Sequence, residues 1–448
     1  MNLHQLLKQR AARDEPLRVG LIGAGKFGTM FLAQARETTG IQVVGVAELG
    51  LARARAALER VGWSGDACVA CSTSGAINDT AAANRVAMTE DALQLIAAEL
   101  DVIIECTGSP EAGTTHAVAA MDAGRHVVMV TVEADVLVGP LLHRRAERAG
   151  VVYSLAYGDQ PALVCEMVDW ARTCGFEVVA AGKGTKYLPE YHYSTPETVA
   201  EHYGFTDEQR REVNAQMFNS FIDGTKSAIE MAAIANATGL TPQTDGLQFP
   251  PCTIHDLAER LKPATAGGLL AHSGTVEVVS CLERDGSPVR DHLRWGVYVT
   301  FRTSSDYVQR CLTEYGVLQD ESGRYAALYR PSHLIGLELG VSVASAALRG
   351  EPTGAPREFV GDVGACAKRD LQAGEVLDGE GGFTVYGRLL PVHDSLAQHT
   401  LPIGLAGGVK VKRAVARDRL LCYDDVEFSS EPLVLKLRRQ LEEETRGQ

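Results

Sequence analysis

Gly23, Gly25 and Gly28 follow the apolar run Leu17-Arg18-Val19-Gly20-Leu21-Ile22 with the spacing G-x-G-x-x-G. A strand that turns tightly into a helix uses each glycine differently: Gly23 for the turn, Gly25 for close approach of backbone to a pyrophosphate, Gly28 for packing of helix on strand. The helix start then offers unpaired N–H groups and a positive dipole end to phosphate. Lys26 and Phe27 lie inside the motif and are counted with it as cofactor-binding. A second apolar run, 41–47, ends in Glu48, twenty residues beyond Gly28, where a carboxylate can bond the ribose hydroxyls of an adenosine. The chemistry indicated is dinucleotide binding. NAD and NADP both stay open, because Glu48 repels a 2′-phosphate while Arg53 and Arg55 just downstream could offset it.

A second set of residues could do chemistry on a substrate. Gln216, Asn219, Asp223, Lys226 and Glu230 recur at steps of three and four in a stretch that reads as one helix from Asn214 to Ala237, capped by Gly239. At 100° per residue they share an arc of about 80°. Phe218, Phe221, Ile222 and Ile229, with small residues such as Ser220, Gly224, Ala228 and Ala232, fill the rest of the circumference. Such a seam is expected to face a wet cavity; a solvated face laced by ion pairs is the alternative. Hydride transfer needs a proton donor or acceptor and charge stabilisation at the carbonyl oxygen. Lys226 is expected to stabilise the alkoxide or shuttle the proton, with Asp223 orienting it, Lys183 and Lys186 binding an anionic group and Glu230 a reserve acid. Glu230 and Asp223 could also hold a loosely bound Mg²⁺ or Mn²⁺ with substrate oxygens. No H-E-x-x-H or paired C-x-x-C is present for zinc, and the one close pair, Cys68 and Cys71, stands alone. His192, His333 and Arg330 are secondary candidates.

The elements that must position these residues alternate through the first third: strands at 86–88, 102–106, 126–130 and 151–156, with helices between them. Loops at the carboxyl ends of such strands face a cofactor crevice, so Thr107, Gly108, Thr131 and Glu133 are expected on the nicotinamide side. In the middle third, strands at 176–181, 275–280 and 295–301 and helices run in separate blocks, with a charged helical region before Asn214. Beyond a linker at Pro352, Gly354 and Pro356 the strands are short and glycine-rich, as in a small all-β module. The expectation is an α/β protein with a dinucleotide-binding Rossmann domain over 1–158, an α+β catalytic and dimerisation domain over 159–355 and a β domain over 356–448.

The chain has 448 residues, 45% hydrophobic and 22% charged, and a formal charge of −14. That charge argues against nucleic acid or an anionic membrane as partner, and an anionic small-molecule substrate would need a local basic pocket. No apolar stretch is long enough for a membrane span, and residues 1–13 read as an amphipathic helix. A cytoplasmic homo-oligomer is expected.

The phrases Gly182-Lys183-Gly184-Thr185-Lys186-Tyr187-Leu188-Pro189 and Asp223-Gly224-Thr225-Lys226-Ser227-Ala228-Ile229-Glu230 resemble those of the homoserine dehydrogenase-like oxidoreductases with a C-terminal SAF domain, the group containing the 1-deoxy-D-xylulose 5-phosphate reductoisomerase-like enzymes. The likeness extends over 17–28, 181–192, 218–236, 329–354, 367–387 and 401–428. It implies an NADP(H)-using oxidoreductase with a Rossmann domain, a central catalytic domain and an SAF-type β-clip; one relative isomerises and reduces 1-deoxy-D-xylulose 5-phosphate. In true homoserine dehydrogenases the aspartate stands one residue further from the lysine than Asp223 does from Lys226. Lys226 therefore carries over as the catalytic lysine, and Asp223 is out of register. The acidic metal-binding pattern of ordinary reductoisomerases is not evident. The function expected is an NAD(P)-dependent oxidoreductase acting on a small polyhydroxy carbonyl compound, a sugar phosphate or sugar acid, with reductoisomerase-like chemistry in view. A homoserine or other hydroxy-acid dehydrogenase without isomerisation and a non-catalytic dinucleotide-binding regulator are the alternatives.

Overall fold

A computed structural model describes residues 2–206, 208 and 213–447. The chain forms two compact units, Met1–Leu163 with Leu334–Arg357, and Val164–His333 with Glu358–Gln448.

In the first unit seven parallel strands, β1 (Leu17–Ile22), β2 (Ile41–Ala47), β3 (Cys68–Ala70), β4 (Val86–Thr89), β5 (Val102–Glu105), β6 (His126–Met129) and β7 (Tyr153–Leu155), stand in the order β3-β4-β2-β1-β5-β6-β7. The central ones are buried on both faces, which is why they read as unbroken apolar runs. Helix α1 (Leu3–Ala12) precedes β1, and α2 (Lys26–Ala35), α3 (Leu51–Arg60), α4 (Ser74–Ala82), α5 (Ala92–Ala97), α6 (Pro110–Asp122) and α7 (Val132–Ala149) make the connections. Strand order reverses between β1 and β5, and ligands of open α/β sheets bind outside the strand ends at such a point. This is the expected Rossmann architecture.

The returning segment Leu334–Arg357 completes this unit. Leu339 and Val343 enter the core around Val19, Leu21, Phe31 and Ile104. Gly336 permits the crossing over α2, since a Cβ there would stand 2.5 Å from the Phe27 carbonyl and the residue has φ +68°. Gly354 O accepts from Leu155 N at 2.8 Å, extending the pairing of β7.

α8 (Gln160–Thr173) carries the chain into the second unit. There β8 (Glu177–Thr185), β9 (Thr275–Ser280), β10 (Val297–Arg302), β11 (Leu318–Gln319) and β12 (Tyr325–Arg330) form a mixed sheet in the order β11-β12-β10-β8-β9, parallel only between β8 and β9. α9 (Val199–Tyr203) falls in the charged helical region expected before Asn214; residues 207 and 209–212 of that region lie outside the described residues.

The single helix expected over 214–237 is two helices, α10 (Ala215–Ile222) and α11 (Thr225–Thr238). Gly224 sits between them at φ +87°, a left-handed conformation that stops one helix and starts the next in another direction. Angular counting across it therefore fails, and the five polar residues are not one seam. Gln216 Nε2 donates to the carbonyls of Asp378 and Glu380 at 2.9 Å, and Asn219 Nδ2 to those of Ser194 and Gly381 at 2.9 and 2.8 Å. The first half of the stripe is structural: it grips loops of its own unit.

α11 packs against β9 and the antiparallel pair β13 (Gly361–Ala367) and β14 (Val385–Pro391). Its small residues let backbones approach, and a Cβ on Gly361 would lie only 3.0 Å from that of Ala235. A two-residue pair, β15 (Lys410–Val411) with β16 (Val426–Glu427), and a helix Leu433–Arg446 follow. Arg438 on that helix is fully buried, bonded to Asp362 at 2.5 Å and Glu442 at 2.7 Å. No helix among the described residues is long and apolar enough to cross a membrane.

Candidate functional site

The glycine turn has the geometry its spacing implies. Gly23 has φ +95°, and a Cβ on it would stand 2.7 Å from the Cys106 carbonyl, so the turn closes against the end of β5. A Cβ on Gly28 would approach the Gly23 carbonyl to 2.4 Å, which is the helix–strand contact itself. Gly25, the N-cap of α2, would point a Cβ into open space. Its smallness serves nothing inside the unit and fits a ligand lying against the backbone. Lys26 is exposed on the first turn of α2, and Phe27 packs partly buried onto the core.

Glu48, 9% exposed, reaches back to this turn. Its Oε2 accepts from Ala24 N at 2.9 Å and its Oε1 from Leu49 N at 3.0 Å. The Arg53 guanidinium, largely exposed, lies 3.6 Å from Oε1. The carboxylate is thus fixed against the glycine turn. These residues fit a nicotinamide dinucleotide: Gly23, Gly25 and Gly28 with the α2 N-terminus for the pyrophosphate, Glu48 for the ribose.

Of the residues expected on the nicotinamide side, Thr107, Gly108 and Thr131 converge. Gly108 N donates to Thr131 Oγ1 at 3.0 Å, and the two threonines meet on a residue the sequence reading passed over, Glu105. Its only sequence signal is an acid ending the apolar strand Val102-Ile103-Ile104-Glu105. Glu133 is half-buried in the first turn of α7. Two residues further on, Asp135 is fully buried; burial pushes its carboxyl up to about 7 while Tyr153 donates to Oδ1 at 2.9 Å. Cys106 donates to the Gly23 carbonyl at 2.8 Å, and burial raises its thiol well above the ordinary range.

In the second unit the structure redistributes the expected charges. Asp223 caps α10 and is fully buried, but its Oδ2 belongs to Lys368, whose Nζ stands 2.7 Å away, and its Oδ1 accepts from Thr225 N at 2.9 Å. The Asp223 carboxylate is thus held between Lys368 and the start of α11. Lys368 lies just after β13; sequence reasoning missed it, since nothing local marks it. It also donates to the carbonyls of Ser194 and Gly382, each at 2.7 Å, so the ammonium is fully satisfied. Lys183 on β8 and Glu230 on α11 are both buried and paired with each other. Lys183 is therefore spent inside the unit rather than held out for an anionic group, and Glu230 is no spare acid. Lys186 donates to the His202 carbonyl; burial and then Arg294 lower its pKa. Lys226, the second residue of α11, is half-buried.

His192 Nδ1 lies 2.8 Å from the Asp223 carbonyl, and its ring stacks on Tyr386 at 4.3 Å; burial lowers its pKa. His333 Nδ1 lies 2.7 Å from the Trp295 carbonyl. Cys71 Sγ is in reach of Thr80 Oγ1 at 3.3 Å. Among the described residues no group of three or more His, Cys, Asp or Glu is placed to hold a metal ion. Asp223 and Glu230, each taken by a lysine, do not fit as ligands.

Comparison with known proteins adds two family matches. Residues 17–130 match the GFO/IDH/MocA model, the oxidoreductase family with an NAD-binding Rossmann fold, and residues 158–339 match the catalytic domain of oxidoreductase DRL. Among proteins of curated function no relative is found. Solved structures that resemble the chain include an NAD binding oxidoreductase from Klebsiella pneumoniae (18% identity over 40% of this chain and 47% of that one, TM-score 0.29). A probable dehydrogenase from Thermotoga maritima has 14% identity over 75% of this chain and 90% of that one, TM-score 0.37. The 1-deoxy-D-xylulose 5-phosphate reductoisomerase from Zymomonas mobilis in complex with NADPH has 15% identity over 48% of this chain and 56% of that one, TM-score 0.32. The chain spans about half the length of the Klebsiella and Zymomonas proteins. The first segment of the chain thus matches an oxidoreductase family with an NAD-binding Rossmann fold, and the second matches the catalytic domain of oxidoreductase DRL.

Proposed function

We propose that the protein transfers a hydride between NAD(P) and a small polyhydroxy carbonyl compound bearing a phosphate or carboxylate, in the manner of the 1-deoxy-D-xylulose 5-phosphate reductoisomerase-like group. The observation that carries the reading is the setting of Lys226. It stands half-buried in the first turn of α11, at the junction that the Asp223–Lys368 pair holds. The charge it brings adds to the positive end of the helix, which suits an oxyanion.

When bound, the dinucleotide supplies the hydride. Lys226 binds the carbonyl oxygen of the substrate and passes it a proton as alkoxide character develops. Asp223, held by Lys368, fixes the α10–α11 junction from which Lys226 projects, and the Lys183–Glu230 pair ties α11 to β8. Lys186 and Arg294 are the cations we assign to the anionic group of the substrate; burial, and then the charge of Arg294, lower the Lys186 pKa. We read residues 356–448 as an SAF-like β module. The antiparallel pairs β13–β14 and β15–β16 and the bridges Cys366 with Leu420 and Leu371 with Val415 support it.

The test is consumption of NADH and NADPH with a panel of sugar phosphates and aldonates, and reduction of NAD and NADP with homoserine, each with and without Mg²⁺. Turnover of at least one member is expected, falling by about a hundredfold or more in Lys226→Met, as for loss of an oxyanion donor. Full activity of that variant would sink the assignment. Turnover of homoserine alone, with no sugar derivative, would favour the simple hydroxy-acid dehydrogenase.

A further inference from the structure

β5 ends in a carboxylate that belongs to none of the motifs. Glu105 is fully buried. Its Oε1 accepts from Thr107 Oγ1 at 2.6 Å and from Thr107 N at 3.3 Å, and His116 Nδ1 of α6 lies 3.3 Å from the same oxygen. Its Oε2 accepts from Thr131 Oγ1 at 2.5 Å, and Thr131 Oγ1 in turn accepts from Gly108 N. Even α6 makes room for it: a Cβ on Gly113 would sit 3.0 Å from Oε2.

A buried carboxylate is a costly way to fill space, and an apolar side chain would pack the end of a strand without the desolvation. What the charge achieves here is direction. The loops leaving two adjacent parallel strands, β5 and β6, carry Thr107, Gly108 and Thr131, and one carboxylate fixes all three relative to each other. Gly108 has φ +72°, and a Cβ there would meet nothing within 4 Å, so the loop is open on that side.

We propose that Glu105 is the positioning residue for the nicotinamide half of the dinucleotide, setting Thr107, Gly108 and Thr131 in the arrangement that receives the ring without touching it. The proposal rests on reading these two loops as the nicotinamide side, while Gly25 and Glu48 serve the adenosine half. It separates the two halves of one ligand, which gives it a test that needs no substrate.

The full chain is titrated with NADH or NADPH, whichever binds the unaltered protein more tightly, and with the matching nicotinamide-free fragment, ADP-ribose or its 2′-phosphate. Glu105→Gln keeps the shape but sets an amide N–H against donors on one side, and Thr131→Val removes the hydroxyl that links Glu105 to Gly108. Both are expected to weaken the dinucleotide about tenfold and to alter the emission of the bound reduced nicotinamide, with the fragment held within about twofold. Thr131→Ser restores the unaltered behaviour. Equal weakening of dinucleotide and fragment would assign Glu105 to the fold alone and overturn the proposal, as would unchanged binding of both. Failure of the unaltered chain to bind either ligand would overturn the cofactor reading and the proposal with it.

Discussion

Lys368 Nζ donates to Asp223 Oδ2 at 2.7 Å with both side chains buried, joining the segment after β13 to the junction of α10 and α11. Residues 145 positions apart in sequence therefore set the point from which Lys226 projects.

Removing one partner of this pair leaves an uncompensated charge in the interior. Lys368→Met should destabilise the second unit by about 3–5 kcal/mol, and adding Asp223→Asn, which keeps the acceptor for Thr225 N, should recover much of it. Denaturant unfolding of the single and double variants measures this; equal loss in both would show that the charge pairing is not what matters.

Gly25 and Gly28 should separate ligand binding from folding. Gly25→Ala meets no neighbour and should leave the melting temperature unchanged while weakening NAD(P)H binding tenfold or more, by about 1.4 kcal/mol per decade. Gly28→Ala collides with the Gly23 carbonyl and should lower both, by a typical overpacking cost of about 1–3 kcal/mol. Thermal melts beside cofactor titrations distinguish the two.

Glu48→Ser removes the carboxylate held by Ala24 N and leaves Arg53 in place. The ratio of NADP to NAD affinity should rise by about tenfold or more, since a charge repulsion is exchanged for an attraction. Dissociation constants for both dinucleotides report it, and an unchanged ratio would remove Glu48 from the ribose site.

Asp135 gives the stability of the first unit a pH dependence. Its folded carboxyl, near 7, lies above the unfolded value of 3.8, so the folded state holds the proton more tightly. Its contribution is fully present below about pH 4 and is lost as pH rises through 7. At about 1.36 kcal/mol per pKa unit the change is of order 4 kcal/mol. Asp135→Asn should flatten this slope, seen by comparing unfolding of the two proteins at pH 5 and pH 8; parallel curves would refute it.

The sequence by itself determined the elements whose cause is local. Gly23, Gly25 and Gly28 are dictated by backbone conformation and close approach, and the apolar runs of β1, β2, β5 and β6 announce strands buried on both faces. The parallel Rossmann sheet followed from their alternation with helices. Tertiary structure decided which charges meet. Sequence spacing put Asp223, Lys226 and Glu230 on one helical face; a single left-handed residue, Gly224, broke that face, and distant lysines claimed two of its acids. Glu105 was unreadable for the same reason. A buried carboxylate is tolerated only where donors converge, and here they come from Thr107, His116 and Thr131, three segments whose proximity only the folded chain creates.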